Sequence, residues 1–352
     1  MSLQNFYSGK KVFLTGHTGF KGAWLSLWLA GMGAKVAGFS LQADDESLFN
    51  IAKIDEDIDK SIIGDIRDAE KIEKSIKEFQ PEIIIHMAAQ PLVRDSYLDP
   101  LTTYQTNVIG TLNVFEAARK AGSVKAILSV TTDKCYENRE IDYPYKEEDP
   151  MGGYDPYSSS KACAEILTAS YRRSFLEKEG IHIASARAGN VIGGGDFSVD
   201  RIIPDILRSI RSEKKVELRS PNAIRPWQHV MEPLSGYLLL TKNLYENGSD
   251  FAKAFNFGPN NEEEVNVEKL TESLIKDLGK GSYEAVSNAN LHEAGILKLD
   301  NNRAKKELNW HPKLSFDQTI KWVADWYKNY LCENVDMREF TLKQINSFKI
   351  TN

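Results

Sequence analysis

Short apolar runs alternate with longer stretches of helical periodicity through the first half of this chain. Lys11–Leu14, Lys35–Phe39, Ser61–Ile63, Glu82–Met87, Lys125–Val130 and His182–Ala186 are brief, rich in Val and Ile, and mostly apolar at every position. Strands covered on both faces read this way, because neither face meets water. Between them, Ala23–Met32, Asp68–Phe79, Leu101–Lys120 and Pro156–Glu179 carry the helical pattern. This alternation predicts an α/β fold built on a doubly wound parallel sheet. No internal repeat or low-complexity linker interrupts it.

The first strand runs directly into Thr15-Gly16-His17-Thr18-Gly19-Phe20-Lys21-Gly22, and an apolar helix pattern starts there. Glycine is needed where a backbone turns sharply and must approach a ligand closely. The helix N-terminus behind it offers unpaired N–H groups to a pyrophosphate. In the first strand-to-helix turn of a Rossmann-type sheet, that is how a dinucleotide is held. After Asn190 the pattern changes. Gly193-Gly194-Gly195 is followed by a helix over Ile202–Arg211, a short strand over Lys215–Leu218, proline-interrupted segments, a strand over Ala254–Phe257 and a closing helix over Phe316–Tyr330. The expected division is a dinucleotide-binding unit over residues 1–190, to which later segments return, and a smaller α+β substrate lobe over most of 191–352. A lobe at the carboxyl ends of the strands would close over the ligand.

Composition narrows the function classes. The net charge of −6 gives no electrostatic case for nucleic acid or an anionic membrane. The N-terminal residues 1–11 lack an apolar core of the kind a secretion signal needs, and no apolar run approaches a membrane span. Three cysteines, Cys135, Cys163 and Cys332, stand far apart without a CxxC pair, which points to a reducing cytoplasm. Six histidines show no metal-ligand spacing, so no metal site is expected.

Tyr157 and Lys161 open a helical run after Pro156, and their i, i+4 spacing puts both on one face. A phenol ordinarily ionises near ~10, and an adjacent ammonium favours the phenolate, giving a workable acid or base for a sugar hydroxyl. Tyr7 and Lys11 share the spacing, but they flank the first strand outside any expected helix and receive no functional role. The strand Lys125–Val130 runs into Thr131-Thr132-Asp133-Lys134-Cys135-Tyr136. Polar, ionisable side chains at a strand's carboxyl end are where a doubly wound fold places its active site.

The glycine turn, the TyrxxxLys pair and Asn107 together resemble the extended short-chain dehydrogenase/reductase family. Within it, the glycine turn with Ala23-Trp24, Thr131–Tyr136 and Arg225-Pro226-Trp227-Gln228-His229-Val230 are similar to nucleotide-sugar 4,6-dehydratases. The likeness runs from about Lys11 to Tyr330. It implies NAD as cofactor, CDP-glucose as substrate, a place in deoxysugar formation, and a homodimer or higher homo-oligomer. It also implies roles. Gly16 to Gly22, including His17, Thr18, Phe20 and Lys21, would line the dinucleotide. Ser40 would stand by the adenosine ribose, Asp65 and Ile66 by the adenine, and Ala88, Ala89, Asn107 and Thr131 beneath or beside the cofactor. Thr132 would bond the sugar, Tyr157 handle the C4 hydroxyl proton, and Lys161 orient ribose and phenol. Asn190, Arg208 and Arg225, with Arg201 a weaker member, would grip the diphosphate, a task that suits the planar guanidinium fork.

Two departures from the family pattern stand out. Ser40 falls where many members carry an acid at the end of the second strand, and Asp44 and Asp45 lie too far along. With no arginine nearby for a 2′-phosphate, NAD is expected over NADP. His17 occupies a position often held by a small residue, which suggests a cofactor held less tightly than in relatives. Lys134 replaces the glutamate of the usual Asp-Glu pair. Loss of water across C5–C6 needs an acid and a base. Asp133 suits the acid only if its pKa is raised, whereas a neighbouring ammonium lowers it; a desolvated, neutral Lys134 suits the base. A sugar-nucleotide epimerase or reductase of the same fold would need Tyr157 and Lys161 but not this pair. A non-catalytic dinucleotide sensor would need none of them.

Overall fold

The computed structural model describes residues 2–260, 265–286, 295–332 and 334–350. Seven strands form one wholly parallel sheet: β1 (Lys11–Thr15), β2 (Lys35–Ser40), β3 (Lys60–Ile63), β4 (Ile83–His86), β5 (Ala126–Val130), β6 (His182–Ala188) and β7 (Ala254–Phe257). Their spatial order is β3-β2-β1-β4-β5-β6-β7, so the chain reverses direction across the sheet between β1 and β4. Helices α1 (Phe20–Gly31), α2 (Ala69–Phe79), α3 (Thr111–Ala121), α4 (Pro156–Tyr171), α5 (Ile202–Arg211), α6 (Met231–Asn247), α7 (Val267–Leu278), α8 (Phe316–Tyr330) and α9 (Met337–Ile350) complete the main framework.

Alternation along the strands divides the core into two layers. Val12, Leu14, Ile83, Ile85 and Leu128 face α1 and α6, with Trp24, Leu25 and Leu238. Phe13, Ile84 and Ile127 face α2 and α3, with Ile72, Ile76 and Phe115. Period-two strands packed between two helix layers need apolar residues at every position, which is why the sequence runs look continuous. The edge strand β3 departs from that expectation: three of its four residues are exposed, because it has a neighbour on one side only.

Helix boundaries shift in instructive ways. α1 begins at Phe20 rather than Ala23, so Lys21 and Gly22 lie in its first turn. The expected helix over 101–120 is continuous in space but passes through a π segment at Gln105–Gly110, which carries Asn107. The stretch after Tyr171 similarly becomes a π segment, Arg172–Leu176, and then a 3-10 turn. Tyr7 ends a one-turn helix, Leu3–Tyr7, and its buried hydroxyl donates to the Leu238 carbonyl at 2.9 Å, which is a packing role. In the C-terminal third, β7 joins the main sheet beside β6, and α6 packs behind it. A separate small layer lies beyond: α5, the strand Val216–Leu218 paired in parallel with Tyr283–Ala285, and α7.

Candidate active site

The carboxyl ends of β1, β4, β5 and β6 converge on one cleft of about 330 Å³, roofed by α5 and the Val216–Leu218 strand. β1 turns at Gly16, whose φ of +79° lies in the left-handed region; a Cβ there would stand 2.9 Å from the Ala88 nitrogen. In the first turn of α1, a Cβ on Gly22 would stand 2.0 Å from the Gly16 carbonyl oxygen. The Gly19 N–H donates to that same carbonyl at 3.2 Å, and no side chain caps α1. The N–H groups of the first turn are thus left for a ligand, and the bare backbone leaves room for one. This cradle fits a dinucleotide pyrophosphate.

The His17 side chain takes no part in that cradle, although its backbone does, with Cα 2.7 Å from where a Cβ on Gly22 would stand. It is 0% exposed, and its ring is turned into the fold against Gly38, with Nε2 2.8 Å from Ser61 Oγ and an edge-on contact to Phe49 at 5.2 Å. Burial holds its pKa down at about 4, so the ring is neutral. Its side chain packs beneath the turn, which leaves only its backbone to line the cofactor. Thr18 donates to Ser40 Oγ at 2.7 Å and to the Leu41 carbonyl, which fixes the end of β2. Asp65 is occupied by Arg67, at 2.6 and 2.9 Å, and Ile66 packs under Gly110. Ser40, Asp65 and Ile66 lie at the ends of β2 and β3, outside the catalytic cleft, on the side toward which the glycine turn opens.

Phe20, Lys21, Ala89, Thr131, Thr132, Asp133, Lys134, Tyr157 and Lys161 all line the cleft. Asp155 caps α4 by accepting from the Ser158 N–H at 2.8 Å, which fixes the register that presents Tyr157 and Lys161 on one face. Burial raises the Tyr157 phenol to about 12; the Thr132 hydroxyl and Arg201 oppose this, and Asp133 adds to it. The expected lowering by Lys161 is not among the main influences on the phenol, where desolvation dominates. Lys161 is itself lowered to about 8 by burial, and its Nζ donates to the Val130 carbonyl at 3.3 Å. Lys21 is lowered further, to about 7, by burial and then by the charges of Lys161 and Arg201.

Asp133 is 1% exposed, and burial raises its pKa against the opposing pull of Lys134, Thr132 and Arg225. Its Oδ1 accepts from the Thr132 hydroxyl at 3.0 Å, while its buried Oδ2 has no partner among the described residues. The condition set by the sequence for an acid is therefore met. Asn190, Arg201 and Arg225 also line the cleft; Arg201 is steadied by Asp196 at 3.0 Å. Arg208 does not line it. Its guanidinium is spent on the Phe197 and Ser198 carbonyls and on Asp205, so it pins the loop before α5 instead of offering a fork to a ligand.

Among the groups that support the site, Asn107 and Thr131 were expected from the sequence, whereas His86, Glu165 and Arg187 were not. His86 lies between Thr15 Oγ1 at 2.7 Å and Thr111 Oγ1 at 2.9 Å, and Thr111 donates to the Asn107 carbonyl. Burial lowers His86 to about 3, so it serves as a neutral strut between β1, β4 and α3. The Asn107 side chain accepts from the Gln90 N–H at 2.8 Å and donates to Gln90 O and to Ser160 Oγ, tying the loop after β4 to α4. Behind the cleft, Glu165 takes hydrogen bonds from Thr131, Ser185 and Arg187, and Arg187 reaches the Tyr136 hydroxyl at 2.8 Å. The one hint was an arginine, Arg187, near the end of a mostly buried strand.

The comparisons agree with this geometry. A family model described as GDP-mannose 4,6 dehydratase matches residues 13–323. The chain is 48% identical to a CDP-glucose 4,6-dehydratase of Salmonella typhimurium over 352 residues, covering 98% of each. Among solved structures, a dTDP-glucose 4,6-dehydratase from Streptomyces venezuelae with NAD and TYD bound superposes with a TM-score of 0.78 at 25% identity, covering 90% of this chain and 97% of the other. A UDP-glucose 4-epimerase from Thermotoga maritima with UDP-glucose gives 0.77 at 21% identity, covering 92% and 100%, and shows the shared fold. The chain belongs to the GDP-mannose 4,6-dehydratase family, among the extended short-chain dehydrogenases/reductases that its motifs resemble.

Proposed function

We propose that this chain is an NAD-dependent CDP-glucose 4,6-dehydratase, converting CDP-glucose to CDP-4-keto-6-deoxyglucose. The observation that carries the reading is Asp133: a buried carboxyl, raised in pKa, beside Thr132 and Tyr157 at the end of β5. An epimerase or reductase has no step for such an acid, and a sensor has none for Tyr157 or Lys161. The choice of CDP-glucose among nucleotide sugars is supported by the near full-length likeness to the Salmonella enzyme.

NAD, held by the glycine turn and the first turn of α1, would supply the hydride acceptor needed at C4 and the donor needed at C6. Tyr157, as the phenolate, accepts the C4 hydroxyl proton and becomes the phenol; Thr132 donates to the phenolate before the transfer, and Lys161 holds the face of α4 in place. The new ketone acidifies C5. Lys134, in its neutral form, takes the C5 proton, and Asp133 donates its own to the C6 oxygen, which leaves as water; as hydride reaches C6, the Lys134 ammonium returns a proton to C5. Arg201, Arg225 and Asn190 hold the diphosphate, and most of residues 191–352 serve as the substrate lobe, with β7 and α6 returning to the NAD-binding unit. Leu101, Ile109 and Ile166, exposed on the 100–121 helix and α4, are proposed to bury against a second copy in a homodimer. Among the described residues no helix is long and apolar enough to cross a membrane, and all three cysteines are free, which supports residence in the cytoplasm.

The test is incubation of the protein with NAD and CDP-glucose, reading the alkaline absorbance of a 4-keto sugar and confirming the 6-deoxy product by mass. Asp133→Asn and Lys134→Met should both lose the 6-deoxy product. Both variants forming it at the normal rate would remove elimination from this pair.

A further inference from the structure

We infer that Glu217 selects the base of the substrate, by accepting a hydrogen bond from the exocyclic amine of cytosine. The inference rests on the proposed CDP-glucose reading and assigns its base specificity to one side chain. The cleft has two ends. Tyr157, Asp133 and Lys161 stand at the sheet end, which is where the reacting glucose must lie. Glu217, Ser220, Ala223 and Val267 stand at the other, on the small layer of the C-terminal lobe. Arg201, Arg219 and Arg225 lie in the same cleft. A nucleoside diphosphate sugar with its glucose at Tyr157 and its diphosphate on the arginines sends its base to the Glu217 end.

Glu217 differs from the other carboxylates there. Asp196 is held by Arg201, Asp205 by Arg208, and Asp200 by both Arg94 and Arg219, at 3.0 and 3.1 Å. Glu217 has no ion pair or side-chain hydrogen bond among the described residues. On its own short strand the flanking Val216 and Leu218 are each 1% exposed, whereas alternation leaves Glu217 exposed; Glu217 and Leu218 both line the cleft, and Glu217 is the one with a polar side chain to offer. Its register neighbour Glu284 is taken by Lys215, at 3.2 Å, on the same face, which leaves Glu217 without that cation.

An ionised carboxylate can only accept. Cytosine presents an amine at C4, which donates; uracil and thymine present a carbonyl oxygen there, which does not. Glu217 would thus attract the first and repel the others, so that a single residue supplies both halves of the discrimination.

The experiment measures kcat and KM for CDP-glucose, UDP-glucose and dTDP-glucose with wild type, Glu217→Gln and Glu217→Ala. Both variants should lose the preference for cytosine by about ten- to a hundredfold, the scale of one polar contact to a base edge, and the loss should fall in KM rather than kcat. The amide of Glu217→Gln can also donate to a C4 carbonyl, so its kcat/KM for UDP-glucose should rise above wild type, a gain that misfolding does not produce. A wild type that prefers CDP-glucose, with both variants keeping that preference, overturns the assignment to Glu217 and leaves the substrate reading standing. A wild type with no preference for CDP-glucose overturns the substrate reading and this inference together.

Discussion

Substituting Gly38 tests how the unusual His17 is accommodated beneath the glycine turn. Gly38 sits in β2, and a Cβ built on it would lie 2.2, 2.3 and 2.6 Å from Cγ, Cδ2 and Nδ1 of the His17 ring. Carbon atoms in contact prefer about 3.5–4.0 Å, so in Gly38→Ala the ring must move by more than an ångström. It has nowhere to go: Phe49 stands edge-on at 5.2 Å and Ser61 Oγ holds Nε2 at 2.8 Å. Overpacking of this kind costs about 1–3 kcal/mol, and loss of the Ser61 hydrogen bond adds about 1 kcal/mol, so a destabilisation of ~3 kcal/mol is expected. His17→Ala by itself should cost about 2–4 kcal/mol by opening a cavity. In that background the Gly38 methyl enters empty space, and with less chain entropy to lose on folding, Gly38→Ala should be neutral or stabilise by up to about 1 kcal/mol. Urea unfolding of the wild type, both single variants and the double variant closes the cycle. A coupling free energy of about 3–4 kcal/mol is expected, at or just above the upper end for residues in contact. Additive penalties, with coupling under about 0.5 kcal/mol, would show that the ring is not wedged against Gly38.

Tyr157→Phe should lower kcat by about 10²–10⁴-fold while leaving nucleotide-sugar binding within a few-fold, since only the hydroxyl is removed; near-wild-type turnover would exclude Tyr157 as the base. Lys21, lowered to about 7 by burial, is an ammonium below that pH and neutral above it. It should repel the cationic nicotinamide in acid, so calorimetric NAD affinity should rise from pH 6 to 8.5 in wild type and flatten in Lys21→Met; equal slopes would refute this. Sedimentation at micromolar concentration should give a dimer, and Ile166→Glu, which puts a charge on the exposed face of α4, should weaken it; a wild type sedimenting cleanly at 39.7 kDa would refute the interface.

What the sequence could show was what chemistry demands locally. The glycine turn must lie within a few residues of its strand, and Tyr157 and Lys161 must be one helical turn apart, so both were legible as motifs. The sheet was legible because strands buried on both faces leave few polar positions. Contributions that depend on which way a side chain turns were not. Arg208 stands one helical turn from α5 residues that roof the cleft, yet the carbonyls of Phe197 and Ser198 claim it, and no spacing reports that. α6 was hidden by Pro233, which reads as a helix breaker but sits in the first turn, where an N–H would be unpaired in any case. β7 is four residues long and gains its identity as the seventh strand only from pairing with β6, far earlier in the chain.

The charges of the site show the same limit in energetic terms. From spacing alone, Lys161 should lower Tyr157 and Lys134 should lower Asp133. In the folded protein burial raises both, and it lowers Lys161 and Lys21. Sequence proximity reveals the pairwise charge effect and conceals the desolvation that competes with it. For Tyr157 the outcome is a phenol too weakly acidic to ionise unaided, which makes Thr132 and Arg201, the groups that oppose its burial, part of what allows it to act. For Asp133 the outcome is a carboxyl that keeps its proton longer than an exposed one, which is the state an acid at the C6 oxygen requires. A cleft that buries its ionisable groups this deeply fits the proposed dehydratase chemistry, and it does so through the residue that an epimerase would not use.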